Sequence, residues 1–73
     1  EHEAPAFDRA EEGYRKALAL AEQLGMRPLQ AHCHLGLGRL YQRRGDPEAA
    51  AAIATARDLF RAMDMTYWLR ETE

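Results

Sequence analysis

Cys33 and its neighbours His32 and His34 are the residues of this 73-residue chain best equipped for chemistry. A thiol and two imidazoles are good zinc ligands or, differently arranged, a nucleophile and its base. The spacing argues against both. Successive residues of a helix turn by about 100°, so His32 and His34 point about 200° apart and Cys33 faces neither. No Cys-x-x-Cys or His-x-x-x-His pair completes a metal site, and His2 stands apart near the first residue. There is no serine. Gly36-x-Gly38 lies inside a helical pattern and not behind a strand, where a phosphate-binding loop would sit. Glu11-Glu12 reads as a solvated acidic face. The expectation is therefore no catalytic residue, no metal and no cofactor, with Cys33 a small buried hydrophobe and His34 a packing residue.

Charge is the second feature. Between Gly25 and Gly45 stand Arg27, Arg39, Arg43 and Arg44 with no acid, whereas the first 22 residues carry Glu1, Glu3, Asp8, Glu11, Glu12 and Glu22. His32, Leu35, Arg39, Gln42 and Arg43 recur at helical spacing and share one stripe. Guanidinium groups on such a stripe are suited to pairing with carboxylates. The net charge of -2 gives no global attraction to nucleic acid or membrane. No apolar run approaches the ~20 residues of a membrane span, and nothing resembles a signal peptide. A single cysteine excludes an internal disulfide and suits a reducing compartment, so the expected location is cytoplasmic.

The elements that carry these residues are helices. Val, Ser and Asn are absent, and the β-branched residues are confined to Ile53, Thr55, Thr66 and Thr72. Ala, Leu, Arg, Glu and Gln, all good helix formers, fill most of the chain. The expected fold class is all-α, within one small domain over 1–73, with helices over about 4–24, 27–44 and 46–63 and a short fourth over about 66–72. Phe7, Ala10, Tyr14, Ala17, Leu18, Ala21 and Leu24 form the apolar stripe of the first helix. The second helix carries Leu29, Cys33, Leu37, Leu40 and Tyr41, and its interior glycines, Gly36 and Gly38, imply the close approach of another backbone. Asp46-Pro47-Glu48 is the clearest start signal: an acidic cap, proline in the first turn and an acid behind it. In the third helix Ala49, Ala52, Ile53, Ala56, Leu59, Phe60 and Met63 face inward.

A shift of 39 residues lays the first helix on the third. Ala10 falls on Ala49, Tyr14 on Ile53, Ala17 on Ala56, Leu20 on Leu59 and Leu24 on Met63, each pair keeping size or apolar character. The motifs are specific. His34-x2-Leu37-Gly38-x2-Tyr41 resembles the W-x2-L-G-x2-Y of tetratricopeptide repeats, with His in the Trp place. Ala49-x3-Ile53-x2-Ala56 resembles the A-x3-F-x2-A that follows, and Ala10-x3-Tyr14-x2-Ala17 repeats it. Small residues there let helices approach, and large ones fill the space beside them. The turn from Tyr41 to Ala49 is one residue shorter than usual, and the stretch from Ala17 to Leu37 is about six longer than a 34-residue period gives. The phrase from Leu24 to Tyr41 is further similar to the C-terminal arrays of large bacterial signalling ATPases, some fused to adenylate cyclase domains or helix-turn-helix regulators.

The resemblance implies antiparallel helix pairs stacked as a short α-solenoid. It also implies a protein–protein interaction or scaffolding role within a cytoplasmic bacterial signalling protein. On it, Ala10, Tyr14, Ala17, Leu37, Gly38, Tyr41, Ala49, Ile53 and Ala56 pack the repeat. His32, Leu35, Arg39, Gln42 and Arg43 line the concave groove, where a protein or peptide partner, acidic in character, is expected to bind. The best-known carboxylate-gripping subset of the family has Lys and Asn where Leu35 and Arg39 stand, so that particular function is not implied. Tyr67, Trp68 and Leu69 form an apolar cluster near the end of the chain and are candidates for self-association into a homo-oligomer. The alternative reading is a small helical nucleic-acid-binding or regulatory domain with the basic second helix as its recognition helix. The 39-residue self-similarity argues against a single compact three-helix core.

Overall fold

The computed structural model describes residues 3–63 of the chain. Over that range it is three helices and no strand: α1 Glu3–Leu24, α2 Arg27–Arg44 and α3 Glu48–Ala62. The expected fourth helix and the Tyr67–Trp68–Leu69 cluster lie outside the described residues.

Each helix runs antiparallel to the next because the turns between them are short and built alike. Gly25 and Gly45 adopt left-handed backbone angles, φ 69° and 72°. Beyond α1, the N–H of Met26 donates to Ala21 O at 2.8 Å and that of Gly25 to Glu22 O at 3.3 Å. Beyond α2, Asp46 N–H donates to Tyr41 O at 2.9 Å and Gly45 N–H to Gln42 O at 3.0 Å. Both pairs are the paired closing bonds of a helix ended by glycine, which answer carbonyls that would otherwise lack partners. Arg43 and Arg44 in the last turn of α2 complement the negative end of its dipole.

The start of α3 differs in detail from the sequence expectation. The helix begins at Glu48, with Pro47 already near helical angles before it. Asp46 still acts as the cap: its Oδ1 accepts the N–H of Glu48 at 3.0 Å and its carbonyl accepts that of Ala49 at 3.1 Å.

Helix α2 is the centre of the arrangement. Both α1 and α3 pack on it, and they make no close backbone contact with each other. This explains why α2 lacks a single apolar face. Its buried residues, Ala31, Cys33, Leu35, Leu37, Gly38 and Tyr41, point in several directions. Ala31 and Leu35 join Ala56 and Phe60 of α3 in one cluster, with Leu59 and Met63 against it. Leu37 and Tyr41 join Ala49 in a second, which Phe7 and Leu18 of α1 and Ala52 of α3 cover.

The interior glycines allow this double packing. Gly36 and Gly38 point about 200° apart, one toward each neighbour. A methyl group at Gly38 would stand 2.5 Å from Ile53 Cγ1 and 3.2 Å from Ile53 N. At Gly36 it would overlap the Tyr14 ring. At Gly13 it would meet nothing within 4 Å.

These contacts order three substitutions. Gly38→Ala meets backbone and should cost about 2 kcal/mol. Gly36→Ala meets the outer part of a half-exposed ring and should cost less, because its helix-propensity gain offsets part of the strain. Gly13→Ala should stabilise by up to about 1 kcal/mol. Urea unfolding followed by circular dichroism measures all three, and any other ranking contradicts the packing described.

Candidate functional site

The exposed flank of α2 that looks between its two neighbours carries the arginines. Four of the five residues expected there, His32, Leu35, Arg39 and Arg43, line a groove of about 460 Å³ whose opposite wall is Ala10 and Tyr14 of α1. Gln42 is exposed but is not among the lining residues. Leu35 lines the groove from beneath. It is 4% exposed and belongs to the cluster with Ala31, Ala56 and Phe60, so it supplies an apolar floor and not a contact that reaches outward. The reason is its angle on α2: it sits one helical turn from Ala31, on the side that meets α3. His32 is half-buried, its ring edge-on to Phe60 at 5.3 Å between centroids.

A second depression of about 630 Å³ continues from the first. The two share Ala10, Leu40 and Arg43, and the second adds Phe7, Asp8 and Arg44. The guanidinium carbon of Arg44 lies 4.3 Å from the centre of the Phe7 ring, a cation–π contact that holds the α1 end against α2.

Among residues expected to pack the repeat, Leu37, Gly38, Tyr41, Ala49 and Ala56 are buried, while Ala10, Ala17 and Ile53 are half-buried. Tyr14 is more exposed than expected, at 38%, because its ring lies over Gly36 at the lip of the groove. Leu24, the last residue of the apolar stripe expected for the first helix, is 60% exposed.

One polar device escaped the sequence reading. The buried Tyr41 hydroxyl donates to Glu11 Oε2 at 2.6 Å and accepts from Arg15 Nη2 at 2.7 Å. Arg15 Nη2 also pairs with Glu11 Oε2 at 3.1 Å. Glu11 is thus no plain solvated acid. The hydrogen bond from Tyr41, then that from Arg15, holds its carboxyl below the ordinary 4.5. Burial, reinforced by the bond to Glu11, pushes the Tyr41 phenol up. The legible signal was the i, i+4 spacing of Glu11 and Arg15. Nothing local said that Tyr41, 26 residues beyond Arg15, would close the set.

Of the three nucleophile and ligand candidates, His32 lines the groove, whereas Cys33 and His34 do not. Cys33 is buried, and burial pushes its thiol up, which keeps it protonated and weakly reactive. His34 is half-buried, and burial holds its imidazole below the ordinary 6.5 against the opposing pull of Glu22. Among the described residues no group of three or more His, Cys, Asp or Glu side chains is placed to hold a metal ion. No described helix is long and apolar enough to cross a membrane.

The shifts at His34 and Glu11 act in the same direction. Each group binds its proton less tightly in the folded chain than in the unfolded one, so acid destabilises the fold. The His34 contribution is present above about pH 6.5 and declines below it; that of Glu11 is present above about 4.5 and declines below it. Melting curves between pH 8 and pH 4, as round settings, should show Tm falling in those two ranges. His34→Gln should flatten the upper one. Tyr41→Phe should lower Tm at neutral pH by about 4 °C and shrink the lower one.

The model of the tetratricopeptide repeat family matches residues 6–60. No curated protein and no solved structure matches the chain.

Proposed function

The chain belongs to the tetratricopeptide repeat family, whose members generally mediate protein–protein interaction, and from that premise we propose that it is a non-catalytic docking module for an acidic protein or peptide segment. The observation that carries the reading is the groove between α1 and α2, which Arg39 and Arg43 line together with the apolar Ala10, Leu35 and Leu40. Arginines beside apolar surface favour a partner that offers both carboxylates and apolar side chains. The surroundings proposed are those of the similar arrays: a cytoplasmic bacterial signalling or regulatory protein in which the module scaffolds other domains. Self-association through Tyr67, Trp68 and Leu69 belongs to the same proposal, with a concentration-dependent mass in light scattering as its test.

The nucleic-acid alternative is weaker on geometry. A recognition helix must present a free face to a groove of the duplex. Here α2 has a helix packed on either side, and Arg44 is engaged with Phe7.

The test is binding of labelled peptides followed by fluorescence anisotropy. An acidic peptide should bind and should weaken as salt rises, and a basic peptide of equal length should not bind. Replacing Arg39 and Arg43 together by Glu should weaken the acidic peptide by about tenfold or more, about 1.4 kcal/mol. Equal binding of acidic and basic peptides would remove the basis for the reading. Salt-sensitive binding of duplex DNA in preference to either peptide would favour the alternative.

A further inference from the structure

We draw no further inference here: the strongest candidate, the side-chain cluster of Glu11, Arg15 and Tyr41 at the crossing of α1 and α2, is closed on itself, its carboxylate, guanidinium and hydroxyl bonded to one another, and belongs to the helix junction already described.

Discussion

Everything described depends on one demand: α2 must be approached on opposite sides by two helices at once. An ordinary helix cannot meet it without side chains holding its neighbours away. This one meets it by omitting side chains at Gly36 and Gly38, which point toward α1 and α3 respectively. Interior glycine weakens an isolated helix, by about 1 kcal/mol each relative to alanine. The loss is offset by contact, because closeness at Gly38 lets Ile53 lie against the α2 backbone and closeness at Gly36 lets Tyr14 do so from the other side. The helix with the poorest intrinsic propensity is therefore the one the other two are built on.

The two sides are not equivalent. The α3 side is closed by apolar packing, with Phe60 fully buried against Ala31, Leu35 and Ala56. The α1 side is thinner and more polar. It relies on Tyr41 reaching Glu11 and Arg15, on Arg44 lying over Phe7, and on Phe7 and Leu18 covering the cluster beneath. Placing hydrogen-bonded and charged contacts where burial is incomplete is physically sensible, since a buried hydroxyl must find partners while a half-exposed carboxylate remains partly solvated.

How much of this was legible follows from which signals are local. Helix-forming composition, glycine stops and the Asp46 start are local, and the all-α class rests on them. The small-residue motif at Ala49, Ile53 and Ala56 is local as well, and the family that owns it follows. The flank carrying His32, Arg39 and Arg43 was readable because helical spacing alone gathers those residues. Leu35 shares that stripe, but spacing places a residue at an angle without saying which neighbour covers it, and α3 makes it the groove's floor. Leu24 shows the converse: apolar periodicity marks a face that can be covered, and no described helix covers it. Tyr41 with Glu11 and Arg15 lay beyond reach, because only the tertiary crossing of α1 and α2 brings such distant positions together.

The dependence of both outer helices on α2, with no backbone contact between them, shapes how the molecule comes apart. Its contacts form a line and not a web. In a chain of nearest-neighbour interfaces, an end unit can detach while the remaining pair stays formed. The thinner, hydrogen-bonded junction sets α1 as the end that opens first, leaving α2 and α3 as a residual hairpin. Amide exchange would then proceed in two tiers, with α1 exchanging through an excursion that the α2–α3 pair does not share. A protein with so small a core would thereby have a partly opened form below full unfolding, reached by the release of a single helix.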